Sequence, residues 1–189
     1  MKRSSVVSTS FLVALVMLAP GCGYNTIQSL DERVNQAQGQ IQTQLQRRAD
    51  LIPNLVNTVK GVTKQEDTIF ISIANARARL NGAVQSGDVA QMSTANQALT
   101  QGLGRLLAIS ENYPQLRSSE NFRQLQDQLE GTENRISVAR QDYNAAVGEY
   151  NAYIRRFPYN LTAKIFGMSK PRVYFEAAPG ATEAPKVQF

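Results

Sequence analysis

Between Tyr24 and Phe157 an apolar residue recurs every three or four positions, and only Pro53 and Pro114 interrupt the run. That spacing matches the 3.6-residue turn of an α-helix rather than the two-residue alternation of a strand, so each segment has one stripe to bury and another to wet. The first segment carries Ile27, Leu30, Val34, Ala37, Ile41, Leu45 and Ala49 among Gln, Asn, Asp and Arg. At Pro53 the ring would clash with the carbonyl of Ala49 and remove a helical hydrogen bond, so a kink or tight break is expected there. The pattern resumes as Leu55, Val59, Val62, Ile69, Ile73, Ala76 and Leu80, with a left-handed stop expected at Asn81-Gly82.

Asp88 is the expected N-cap of a third helix bearing Met92, Leu99, Leu103, Leu106 and Ile109 and ending before Tyr113-Pro114. Ser118-Ser119-Glu120 then opens a fourth, whose stripe is Phe122, Leu125, Leu129, Ile136, Tyr143, Tyr150 and Phe157, the last four seven apart. From Ser119 to Arg156 this rod would extend roughly 55 Å at 1.5 Å per residue. Short connections make its neighbours antiparallel. The sequence therefore predicts an all-α, up-and-down bundle of about four long helices over residues 22–176. A single long coiled coil is disfavoured by the two prolines. Leu161 to Phe166 suits one or two amphipathic turns, Arg172 to Glu176 an extended segment, and 177–189 a flexible tail with little to bury.

The N-terminus obeys another pattern. Lys2 and Arg3 precede a polar stretch and then the apolar run Phe11–Pro20, in the order of a secretory signal. That run is about half the roughly 20 residues a membrane span requires. Leu18-Ala19-Pro20-Gly21-Cys22 resembles the lipobox of bacterial lipoproteins, in which the signal is cut before a cysteine that carries diacylglycerol. It departs from that pattern at Ala19, where Leu is usual, and at Pro20. The expectation is a signal over 1–21, a lipid, palmitate included, on Cys22, and a membrane-anchored chain facing the periplasm. The alternative is a single-pass protein with an uncleaved N-terminal anchor.

Composition removes many activities. There is no histidine, and Cys22 is the only cysteine. Cys/His zinc sites, nucleophiles that need a histidine base and internal disulfides are thereby excluded. The formal charge of +5 falls to +3 without Lys2 and Arg3, too weak a surplus to imply nucleic acid.

A set of ordered motifs resembles the LemA family of bacterial envelope-associated helical proteins. These are Gln46-Arg47-Arg48-Ala49-Asp50-Leu51-Ile52-Pro53-Asn54-Leu55-Val56, then Glu111-Asn112-Tyr113-Pro114-Gln115-Leu116, then Asn121-Phe122 with Leu125-Gln126. Leu129-Glu130-Gly131-Thr132-Glu133-Asn134-Arg135-Ile136 follows, with Ala139-Arg140, Tyr143-Asn144, Tyr150-Asn151 and Arg156-Phe157-Pro158. The likeness runs from Tyr24-Asn25 to Phe175-Glu176. It implies an antiparallel bundle held at a bacterial membrane by its N-terminus, with no established catalytic activity. Family members generally begin with an uncleaved membrane helix and often carry a Trp in the first helix, where this chain has Gln38 or a neighbour.

Candidate polar residues are Arg48, Asp50, Asn54, Glu133, Asn134, Asn144 and Asn151. Arg48, Asp50 and Asn54 flank Pro53, where they are placed to satisfy carbonyls that lose their partners or to form a recognition spot. Asn144 and Asn151, seven apart, suit helix register or a binding ladder, and the hydroxyls of Tyr143 and Tyr150 are expected at the wet edge. Glu130 and Glu133 form the one Glu-x-x-Glu pair on a long helix, but no histidine exists to complete a di-metal set. Pairing with Arg47, Arg48 or Arg135 is the simpler reading, and no cofactor is implied. Arg155-Arg156-Phe157-Pro158-Tyr159 with Lys164-Ile165-Phe166 reads as a helix end capped by cations or as a membrane- or partner-facing tip.

The functional expectation is a non-enzymatic scaffold or interaction module, membrane-tethered, with an unidentified envelope protein partner, no nucleic acid, and self-association left open. The alternative is a hydrolase or lyase using Glu130, Glu133, Tyr143 and Arg48 in an inter-helix cleft.

Overall fold

The structure is a computed structural model that describes residues 21–63 and 67–176. The expected signal up to residue 20, the Cys22 side chain and the tail 177–189 lie outside the described residues. Among the described residues six helices follow in order: α1 Gly21–Lys60, α2 Asp67–Ser86, α3 Val89–Ser110, α4 Pro114–Arg117, α5 Glu120–Tyr153 and α6 Tyr159–Ile165. Among the described residues there is no strand, and the all-α bundle read from periodicity is what forms. The chain divides into two compact units: residues up to Ala37 with Asn144–Arg172, and Gln38–Tyr143 with Val173 onward.

In the second unit, α2 and α3 are joined only by Gly87-Asp88 and pack as an antiparallel pair, with Ile73 facing Gly102. A side chain at Gly102 would come within 3.0 Å of Ile73, so the two backbones approach where only glycine fits without displacement. The C-terminal part of α1 runs antiparallel to α2, because Gln38 meets Gly87 while Ala49 meets Arg77. The N-terminal part of α5 closes the set, with Glu133 against Arg48. Ile41, Leu45, Ile52, Leu55, Ile73, Leu80, Met92, Leu99, Leu106 and Phe122 are fully buried between these helices. Each such side chain contributes roughly 1.5–3 kcal/mol of transfer free energy.

Four local expectations need correcting. α1 runs through Pro53 without a break, as far as Lys60. α2 does not stop at Asn81-Gly82 but at Gly87, whose φ is +71°. Gly82 points into open space and costs roughly 1 kcal/mol in a helix, which burial of Ala83 on the next residue offsets. Val62 is exposed, since α1 has already ended, and Phe70 takes the buried place expected of Ile69. α5 ends at Tyr153, so the seven-residue spacing no longer maps to one face at Phe157, which is 75% exposed. The Asp88 cap forms as expected, its carboxylate accepting from the Gln91 amide at 3.0 Å.

In the first unit, Ile27 and Val34 of α1 are buried, as are Val147, Tyr150 and Ile154 near the end of the chain's longest C-terminal helix and Ala163 of α6. Beyond α6 the chain is non-helical to Arg172, and in the second unit it continues so from Val173 to Glu176.

Candidate functional site

Three polar clusters hold most of the residues that the sequence singles out. The first lies at Pro53. Proline carries no amide hydrogen, so the carbonyl of Ala49 loses its helical donor. Arg77 of α2 replaces it, its Nε donating to the Ala49 oxygen at 2.8 Å. The carbonyl that the proline leaves bare is thus satisfied by a neighbour, and α1 continues to Lys60. The flanking trio has other tasks. Asp50 accepts from Gln46, the Asn54 carbonyl accepts from the Thr58 hydroxyl, and Arg48 turns inward.

Arg48 is the centre of the second cluster. It is 4% exposed, one turn from Leu45 and Ile52 in the buried stripe. Its Nη1 donates to Asn96 Oδ1 of α3 at 2.8 Å and to Glu133 Oε2 of α5. Burial pushes the guanidinium below its ordinary pKa, and the charge and hydrogen bond of Glu133 oppose that shift. Glu133 is half-exposed, so the pair has one dry partner and one wet one. Arg48 Nε finds no partner among the described residues.

The third cluster belongs to the first unit and fastens the segment after α6. Asn151 of α5 donates through Nδ2 to the Arg172 carbonyl at 2.9 Å and accepts the Arg172 amide at 2.8 Å. One side-chain amide thus satisfies both backbone groups of one residue. The Arg172 guanidinium reaches Asp31 at 2.7 Å and Asn35 at 3.2 Å on α1. The Tyr150 hydroxyl donates to the Met168 carbonyl at 3.1 Å in a part-buried setting. Burial and Asp31 push that phenol's pKa up, against a smaller downward pull from Arg172. The second unit uses the same device: Tyr143 donates to the Val173 carbonyl at 2.9 Å and Ser93 to that of Glu176 at 3.0 Å.

Of the four residues of the hydrolase reading, Arg48 and Glu133 meet, but each of the others is placed differently. Glu130 is exposed, Glu133 is committed to Arg48, and the buried Tyr143 donates to a backbone carbonyl. Two open grooves in the second unit are lined otherwise, one of about 550 Å³ by Gln42, Gln46, Arg47 and Asp50, the other of about 360 Å³ by Gln44, Asn134, Arg135 and Asp142. Asn134 is exposed and Asn144 half-buried. Among the described residues no group of three or more metal-binding side chains occurs, and no helix is long and apolar enough to cross a membrane.

Sequence reasoning missed Arg77, Arg172, Asp31 and the two glutamines Gln38 and Gln42. Arg77 had a signal: it sits four residues after Ile73 and three before Leu80, inside a buried stripe. Gln38 and Gln42 donate to the carbonyls of Gly87 and Val84 at 2.8 and 3.2 Å, capping the end of α2 from another helix. No local pattern reports such a partner.

A sequence model described as the LemA family matches residues 37–189. Magnetosome protein MamQ 2 and magnetosome protein MamQ 1 of Paramagnetospirillum magneticum are each 27% identical over 203 aligned positions, covering 94% of this chain and 72% of the relative. Magnetosome protein MamQ of Magnetospirillum gryphiswaldense is 26% identical over 204 positions, with the same coverage of 94% and 72%.

Proposed function

Because this chain belongs to the LemA family, we propose that it is a non-enzymatic scaffold of the bacterial envelope, tethered to a membrane by a lipid on Cys22 and presenting its helical faces to protein partners. Family membership and the relatives named as magnetosome proteins support membrane association. The single observation that carries the scaffold reading is the use made of the polar residues. Arg48 and Glu133 join α1 to α5, Arg77 mends α1, and Asn151 with Tyr150 fastens the segment after α6. Of the groups that could do acid-base work, Glu133, Tyr143 and Tyr150 are engaged in holding backbone and helices in fixed relation.

The tether is tested by fractionating cells that express the full chain and by weighing its N-terminus. The expected result is recovery with membranes after an alkaline wash, with acyl chains on a polypeptide that begins at Cys22, and release of a Cys22→Ala variant from the membrane fraction. Recovery of the unaltered chain in the wash would overturn the tethered reading. A chain that begins at Met1 and stays with membranes would replace the lipid by an uncleaved anchor.

A further inference from the structure

We infer that α6 and the turn before it form a second membrane contact, a shallow surface that docks on a leaflet containing anionic headgroups. The inference rests on the tethered reading above and adds which part of the folded domain touches lipid. α6 buries Thr162 and Ala163 on one side, while Leu161 and Ile165, one turn apart on the other, are exposed. Phe157 and Phe166 flank the helix and are exposed too. Two large apolar side chains on so short a helix, with two more flanking it, make exposed apolar surface of the kind that marks an interaction site.

Charge selects the occupant. From Tyr150 through Phe175 there is no Asp or Glu, but there are Arg155, Arg156, Lys164, Lys170 and Arg172. Arg172 is engaged with Asp31, and the other four are exposed. Exposed apolar side chains and exposed cations in one stretch of chain without acids are what an interfacial helix needs. The rings and aliphatic chains enter the acyl boundary, and the basic heads stay at the phosphates. A stable protein interface takes roughly 20–30 residues a side, far more than this patch supplies.

Position points the same way. Cys22, the proposed lipid site, belongs to the first turn of α1, and that turn lies against α6. A side chain at Gly23 would come within 2.6 Å of the Tyr159 ring, and the Tyr24 and Phe166 rings are 4.6 Å apart. Whatever holds the N-terminus at a membrane therefore holds α6 beside it, at a high effective concentration of headgroups.

The natural chain has no tryptophan, so one introduced residue reports alone. The full-length protein, carrying Ile165→Trp or, in a second variant, Phe157→Trp, is reconstituted into vesicles of brominated phosphatidylcholine with or without phosphatidylglycerol. Flotation reads the tether and tryptophan quenching reads the patch, with circular dichroism confirming unchanged helix content. The expected result is flotation in both lipids, with strong quenching only where phosphatidylglycerol is present. The combined changes Arg155→Gln, Arg156→Gln and Lys164→Gln should lower the docking equilibrium constant roughly fivefold for each charge removed. Flotation without quenching at either reporter overturns the second contact and leaves the tether standing. Equal quenching in the two lipids overturns the headgroup contact. Failure to float overturns the tether and the second contact together.

Discussion

The two units both hold backbone carbonyls with side chains, but only one of them also encloses a charge. In the unit built on Gln38–Tyr143, apolar stripes from four helices meet, and the polar groups among them are few and mostly dry. Arg48 is taken out of water at a cost that Asn96 and Glu133 only partly return, so its order depends on the packing around it. In the unit formed by residues up to Ala37 and Asn144–Arg172, side chains grip a non-helical segment by its backbone, through Asn151, Tyr150 and the Arg172–Asp31 pair. That unit also leaves Phe157 and Ile165 uncovered. A core protects charge by enclosing it, whereas a clamp needs only the right donors and acceptors at an edge.

The largest effect that would break this contrast is expected from Glu133→Ala. Stranding a buried guanidinium costs several kcal/mol when both partners are dry; because Glu133 is half-exposed, about 2–3 kcal/mol is expected. Chemical denaturation should show it as a lower midpoint. An unchanged midpoint would mean that Arg48 does not depend on its carboxylate. Asn151→Ala comes next, at about 2 kcal/mol for two lost bonds to the backbone of Arg172. Its signature is local: amide exchange should quicken over residues 168–172 while the amides around Leu99 keep their protection.

Arg77→Met should cost about 1–2 kcal/mol by leaving the Ala49 carbonyl bare. Adding Pro53→Ala restores an amide donor in α1 and should recover most of that loss. If the two changes simply add in a double-mutant cycle, Arg77 is not the substitute for the proline's missing bond.

The smallest effect concerns pH. Since the folded chain raises the Tyr150 pKa, its protonated form is favoured by folding. That contribution is intact below the ordinary tyrosine value of about 10 and is lost as pH rises through the raised one. Stability measured from neutral to strongly alkaline pH should therefore fall more steeply in the natural chain than in Tyr150→Phe. The variant itself gives up roughly 1 kcal/mol at neutrality with the bond to Met168. Parallel curves would sever the phenol from the alkaline loss.

What was legible in the sequence is what periodicity encodes. Ile27, Val34, Ile41, Leu45 and Ala49 all lie in the buried stripe, and Asp88 caps the helix it precedes. These are short-range facts, set within one or two turns. The break expected at Pro53 and the stop expected at Gly82 fail for different reasons: at Pro53 a side chain from another helix supplies the missing bond, and at Gly82 burial of the neighbouring Ala83 offsets the cost of the glycine. Asn151 stood out as polar within a stripe, but its partner lies 21 residues on in a segment without periodicity. Arg172 and Asp31 are 141 residues apart, a distance no window can read.

The contacts from Gln38, Gln42 and Arg77 to carbonyls of the facing helix have a mechanical consequence. Greasy stripes tolerate longitudinal slip, because one methyl group resembles the next, whereas a carbonyl oxygen offers a fixed address. Displacing α1 along α2 by one turn, about 5.4 Å, would unhook all three links together. This helix pair is accordingly stiff against shear, and any motion it passes on must come as rotation or bending.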